Sequence, residues 1–245
     1  MTKKRQTCPA MTNPEGCFEG FTPETLTFFA ALRFNNNRAF FEQNRELFER
    51  AVKWPLYALA QELAPAALAV DPAFDPRPAR SVSRIWRDVR FRRDKSPLRE
   101  YMWIGFRRAG EQRGESCGFY FDISAEGGNW GCGYYQMRPE AMANLRERLR
   151  EEPAQVLKIL REPSFASQFV LLGDDYQRQY RPPEGMDPQL GALYVKKNVY
   201  CEHHVEDPQE LMDPGLRAKI AEGFRAMAPF YHLLRDCLRT QQDRS

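Results

Sequence analysis

The sequence predicts an α+β fold: one mainly antiparallel sheet, a meander of about four strands plus a later strand, covered by helices on one face. Three observations carry that expectation. Apolar and polar residues alternate over three successive segments, 82–91, 101–108 and 117–124, which is the period of a half-buried strand. The flanking segments repeat their apolar residues at spacings of three and four, the period of a helix with one buried face. The connections between the alternating segments are short, and short connections join antiparallel neighbours.

Taken in order, residues 1–20 are rich in Thr, Pro, Asn and Gly and read as a disordered leader. Residues 21–241 read as a single domain, and 245 residues suffice for a proper core. Thr22-Pro23-Glu24 opens a helix: Thr caps it, Pro fits its first turn, and Glu suits the positive end of its dipole. Asn35-Asn36-Asn37 breaks that helix and caps the next, where Phe40, Phe41, Leu47, Phe48 and Val52 recur at helical spacing. Pro55 opens a segment with Leu56, Leu59 and Leu63, and the four prolines of 64–80 read as a connector.

The three alternating strands follow. Glu126-Gly127-Gly128 reads as a turn into a fourth strand near Asn129–Gln136. Pro139 and Pro153 open two helices, residues 181–188 are loop, and the β-branched and aromatic content of 192–205 suits a last strand. Asp213-Pro214 precedes a helix carrying Leu216, Ile220, Phe224, Met227, Tyr231, Leu234 and Leu238 on one stripe.

The net charge is only +3, which does not argue for nucleic acid, but residues 80–99 hold eight Lys/Arg against two Asp, a net of +6. The positive potential is therefore local. No apolar run approaches membrane-spanning length, and the basic N-terminus lacks the apolar stretch of a secretory signal. The six cysteines, at 8, 17, 117, 132, 201 and 237, form no CxxC pair. Reduced thiols in a cytoplasmic protein are the simplest reading.

The charge concentrates in RIWRDVRFRRDKSP, residues 84–97. On a strand, Ile85, Val89 and Phe91 would face the helices, while Arg84, Trp86, Asp88 and Arg90 would project from the other side about 7 Å apart. Asp88 would then hold two guanidinium groups, and such a row can receive a phosphate or carboxylate. Trp86 offers an indole for a guanidinium to stack on. Tyr120 and Asp122 lie on the polar parity of a later strand, Lys95 sits on a loop able to close over a ligand, and Asn37 and Arg38 could join from the helices. The alternatives are a solvated charge ladder for the strand and simple capping for Asn37.

Other constellations are weaker. Gly131-Cys132-Gly133 inside a strand points to a bulge or to close approach by a backbone or ligand, and Cys132 reads as a small buried thiol. Cys201 and His203 share a strand face while His204 points away, and two ligands do not make a zinc site. His232 reads as packing or surface on the last helix. No phosphate loop, dinucleotide fingerprint or Ser/His/Asp pattern occurs, so neither a metal nor a cofactor is expected.

NNNRAFFEQN (35–44), RIWRDVRFRRDKSPLR (84–99) and GFYFDIS (118–124) resemble the motifs of a widespread, mainly bacterial family of conserved hypothetical proteins, a domain of unknown function. Its pattern runs NNNRxWF, RxxRDxRFxxDKxP, GYYxxI and a glycine-rich strand, in this order over about residues 20–240. The matching residues are Asn36, Asn37, Arg38 and Phe41; Arg84, Arg87, Asp88, Arg90, Phe91, Asp94, Lys95 and Pro97; and Gly118, Tyr120, Gly131 and Gly133. Phe40 stands where the family usually has Trp, and Tyr101 near a place often held by His. The resemblance implies a shared fold and no established activity. Three readings follow: a binding protein or metal-free enzyme that takes a small anionic ligand through Arg84, Asp88, Arg90, Lys95, Tyr120, Asn37 and Arg38; a nucleic-acid binder using the basic segment, with Trp86 or Tyr101 stacking a base; and a non-catalytic module docking an acidic partner.

Overall fold

The structure, a computed structural model, describes residues 17–91, 93–111, 116–176 and 180–238. Helices α1 (Pro23–Phe34), α2 (Arg38–Gln43), α3 (Arg45–Phe48) and, after a π-helical turn at Glu49–Lys53, α4 (Trp54–Val70) and α5 (Pro78–Ser81) precede the sheet. Strands β1 (Tyr101–Phe106), β2 (Gly118–Ser124) and β3 (Gly127–Gly133) form the meander. Helices α6 (Pro139–Glu151), α7 (Pro153–Leu160) and α8 (Pro163–Ala166) lead to β4 (Val170–Leu172); α9 (Pro188–Tyr194), β5 (Tyr200–His204), α10 (Pro208–Met212) and α11 (Leu216–Asp236) complete the chain. The five strands lie in the order β1-β2-β3-β5-β4, every pair antiparallel. The fold is the α+β class read from the sequence.

Alternation sorts the sheet into two faces. Met102, Ile104, Phe106, Phe119, Phe121, Ile123, Trp130, Cys132 and Cys201 are buried. They meet α4 and α11, with Phe119 stacked on Phe224 at 4.6 Å and tilted against Tyr231 at 5.4 Å. Gly223 lets α11 approach the sheet, because a Cβ there would lie 2.9 Å from the indole nitrogen of Trp130. The opposite face carries Trp103, Tyr120, Asp122, Asn129 and Glu202, all partly exposed. Thr25 ties the first helix down: its hydroxyl accepts from the Thr22 N–H at 3.2 Å and donates to the Ala51 carbonyl at 2.6 Å.

Several boundaries differ from the sequence reading. Residues 1–16 of the expected leader lie outside the described residues, but its end belongs to the fold: Phe18 is buried and its N–H donates to Glu62. The connector begins later than 64, because α4 continues to Val70 through Pro65, which sits on its exposed side while Ala64 and Ala67 are buried. The fourth strand starts at Gly127, since Ser124 pairs directly with Gly127 across a two-residue turn. The last strand shortens to Tyr200–His204, because 192–194 close α9.

The largest departure is 82–91, which is no regular strand. Val82 bridges Ile104 at the β1 edge, and Trp86 bridges Leu98. The Arg87 N–H donates to the Pro97 carbonyl and the Arg99 N–H to that of Ile85, each at 2.8 Å. The segment is one arm of an irregular hairpin that folds back on 97–99. Pairing preserves the alternation, with Arg84, Trp86, Asp88 and Arg90 exposed and Ile85 buried. Phe91, assigned to the helix side, stands at the turn and is 95% exposed.

Candidate functional site

The predicted site residues divide among three places. Most sit on the hairpin, where the charges brace one another. Arg90 grips Asp88 through Nε at 3.0 Å and Nη2 at 2.7 Å. Arg87 donates to Asp94, whose other oxygen accepts from the Ser96 N–H at 2.9 Å. Lys95 donates to the Val89 carbonyl at 3.1 Å, so it ties the loop to itself. Arg84 is exposed and has no hydrogen bond or ion pair among the described residues. Among the described residues no arginine stacks on Trp86; its ring meets Phe41 of α2 at 5.1 Å. The guanidinium-on-indole contact occurs instead between Arg99 and Trp103, at 4.9 Å.

Asn37 caps α2 by accepting from the Phe40 N–H at 2.9 Å, and Arg38 is exposed, 4.0 Å from Glu42. The asparagine that reaches the hairpin is Asn36. It donates to the Leu98 carbonyl and accepts from the Leu98 N–H, both at 3.0 Å. The NNNR motif therefore fastens the basic hairpin to the helices through backbone.

Tyr120 belongs to the open face of the sheet. Register sets Trp103, Asp122, Asn129 and His204 in one row, and Gly105, Tyr120, Gly131 and Glu202 in the next. The Tyr120 hydroxyl donates to Glu202 Oε2 at 2.7 Å, across β3. Gly131 permits this, since a Cβ there would lie 2.7 Å from that hydroxyl and overlap the Cys201 carbonyl. Close approach is thus the role of the glycine pair, and Cys132 between them is fully buried, its thiol pushed up by burial. Asn129 Nδ2 donates to Asp122 Oδ1 at 3.0 Å, and Asn129 Oδ1 lies 2.7 Å from His204 Nδ1. Burial and then the Glu202 charge push the Asp122 carboxyl up to about 6, against the Asn129 amide. Burial, with the Glu202 carboxylate, likewise keeps Tyr120 a neutral phenol.

A cleft of about 300 Å³ opens at the β1 edge, lined by Asp75, Arg77, Arg80, Ser81, Gly105, Arg107, Arg108, Ala109, Gly110 and Glu111. Chain pairing builds it: Phe74 bridges Arg108, and the Asp75 N–H donates to the Arg107 carbonyl at 3.0 Å. Four guanidinium groups face two carboxylates. Arg77 forks onto Asp75 (2.8 and 2.5 Å), holding its carboxyl down at about 2. Arg107 donates to the Glu111 carbonyl at 2.6 Å. Arg108 donates through Nε to Asp71 at 2.7 Å. Asp71 is only 4% exposed and also accepts from Tyr231 and the Ala73 N–H. Burial pushes the Asp71 carboxyl up, but those bonds outweigh it and hold it below the usual range. Arg80 is exposed and makes no side-chain hydrogen bond or close ion pair among the described residues, although its charge also helps to hold the Asp75 carboxyl down.

The sequence showed the cleft's raw material, RPAR at 77–80 and FRR at 106–108, but the first run looked like part of a proline connector. Asn129 and Glu202 carried no signal of their own, because cross-strand register is what brings them to Asp122 and Tyr120. Cys201 is buried and His203 stacks on Trp130 at 4.0 Å, so those two face the core while His204 faces out.

Among known proteins, the family model for conserved hypothetical protein DUF2461 matches residues 24–233. A search of the curated proteins found no match.

Proposed function

We propose that this chain, which belongs to the conserved hypothetical protein family DUF2461, binds a small phosphate- or carboxylate-bearing ligand in the arginine cleft at the β1 edge. The observation that carries the reading is the convergence of Arg77, Arg80, Arg107 and Arg108 on one cleft of about 300 Å³. Three of these groups are already held, Arg77 by Asp75, Arg107 by the Glu111 carbonyl and Arg108 by Asp71, which leaves their remaining nitrogens for a ligand at little further entropic cost. Arg80, whose guanidinium makes no hydrogen bond among the described residues, supplies a fork matched to two anionic oxygens. The ligand class is the one read from the sequence; its place moves from the 84–90 arm to the 77–80 and 107–108 arginines. A cytoplasmic location goes with this reading, supported by cysteines without a paired spacing.

The test is thermal unfolding against inorganic phosphate and a panel of phosphorylated and carboxylated metabolites. Ligand at about 100 times Kd adds about 2.7 kcal/mol. A shift lost in Arg80→Ala and kept in Arg84→Ala supports the cleft. A shift lost only in Arg84→Ala returns the site to the hairpin, and no shift with any anion overturns the reading.

One observation favours nucleic acid as a second reading. Phe91 stands exposed at the turn of a braced cationic hairpin, with the Arg90 guanidinium 5.9 Å from its ring. Stacking of a base on Phe91 with phosphates on Arg84 and Arg93 would give steeply salt-dependent binding of a single-stranded oligonucleotide. Binding that survives high salt, or survives Phe91→Ala, would refute it.

A further inference from the structure

We propose that the open face of the sheet is an acid–base site in which His204 is the base and Asn129 and Asp122 are its positioning residues. The proposal is independent of the arginine cleft. Register places Asp122, Asn129 and His204 side by side on β2, β3 and β5, and they are bonded in series. The Asn129 amide nitrogen donates to Asp122 at 3.0 Å, so its oxygen faces His204 Nδ1 at 2.7 Å. An amide oxygen only accepts, so the ring must donate from Nδ1. Neutral His204 therefore carries its proton on Nδ1 and keeps a lone pair on Nε2. His204 is exposed, so that lone pair is accessible to a ligand.

The other two histidines differ. His203 lies on the core side against Trp130, with Nδ1 3.0 Å from the Gln168 carbonyl. His232 is exposed on α11, in ring contact with Tyr231. Asp122 has no cationic partner among the described residues, so its negative charge is available, one amide away, to offset an imidazolium. The neighbouring row sets Tyr120 and Glu202 beside this chain.

The chemistry is proton transfer from a hydroxyl, water included, and the simplest substrate is an activated acyl ester. Nε2 takes a proton from water as its oxygen bonds to the acyl carbon. The tetrahedral adduct then expels the alcohol oxygen with its bonding pair, and the imidazolium returns the proton to whichever product carries the charge.

Two measurements on the 245-residue chain test this. Nitrogen-15 NMR of the histidines reads the tautomer directly, and p-nitrophenyl acetate hydrolysis across neutral pH reads the base. His204 is expected as the Nδ1–H tautomer, and Asn129→Ala is expected to move the proton to Nε2. His204→Gln is expected to cut hydrolysis roughly 10²-fold, with His232→Gln unchanged. An Nε2–H tautomer in the wild type overturns the proposal without any variant. So does a tautomer unmoved by Asn129→Ala, or hydrolysis by His204→Gln within about twofold of wild type.

Discussion

Asp122 is ionised at neutral pH at a cost to the fold, and Asp122→Asn removes that cost while keeping the shape. Burial raises the carboxyl from its ordinary 3.8 to about 6, with the Glu202 charge adding to the rise. At about 1.36 kcal/mol for each pH unit between those values, the penalty is about 3 kcal/mol. The sign follows from linkage. Below the ordinary value the group is protonated in both states, and the fold pays nothing. As pH rises toward about 6 the unfolded chain releases its proton first, and stability falls until the folded carboxyl has ionised too. Asparagine cannot ionise, and its amide oxygen still accepts the Asn129 bond. Urea denaturation is expected to show the two proteins nearly equal near about pH 4 and the variant about 3 kcal/mol more stable above about pH 7. In thermal melts that gap is roughly 6–12 °C for a chain of this size. Glu202→Gln in the wild-type background should narrow it. A variant no more stable at neutral pH, or a gap equal at both pH values, would refute the reasoning. A carboxylate kept at such a cost, on an exposed face and next to a tautomer-fixed histidine, is what a working site looks like.

Three further outcomes follow from the packing. Gly131→Ala places a Cβ against the Cys201 carbonyl and 2.7 Å from the Tyr120 hydroxyl, forcing β3 from β5 at a cost of about 3 kcal/mol. Gly110→Ala meets nothing within 4 Å and carries only the strain of φ +84°, about 1 kcal/mol, so equal losses in urea would refute the steric account. Asn36→Ala removes both bonds to Leu98, about 1 kcal/mol each; amide exchange should quicken at Arg87 and Arg99, with α4 amides unchanged. Asp71→Asn strips the buried counter-charge from Arg108 and leaves one oxygen for the three donors Arg108, Tyr231 and the Ala73 N–H, costing about 3 kcal/mol at neutral pH. Because the Asp71 carboxyl is depressed, its contribution is lost as pH falls. The gap to the variant should therefore close in acid, opposite to Asp122; a gap that widens there would be contrary to this assignment.

The sequence by itself determined which segments alternate and which repeat at three and four, and so the α+β class, the meander and the buried stripe of α11. Those are local patterns: burial on one face of a strand or helix selects residue types at fixed spacing. It also showed that positive charge gathers between residues 80 and 99, and that Tyr120 and Asp122 share a face. Only the tertiary structure decided what those charges do. The period of two in 82–91 is the same for a sheet strand and for a hairpin arm paired on one side, so sequence could not tell that Phe91 turns outward or that Trp86 seeks Phe41. Nor could it tell that Asn36, rather than Asn37 or Arg38, reaches the segment. The groups that make sites come from strands far apart in the chain. Glu202 meets Tyr120 and His204 meets Asn129 only through the β3–β5 register, and Arg77 and Arg80 meet Arg107 and Arg108 only because 74–82 runs back along β1. Register and edge pairing are long-range choices settled by the packing of the whole core, and no residue type at a single position encodes them.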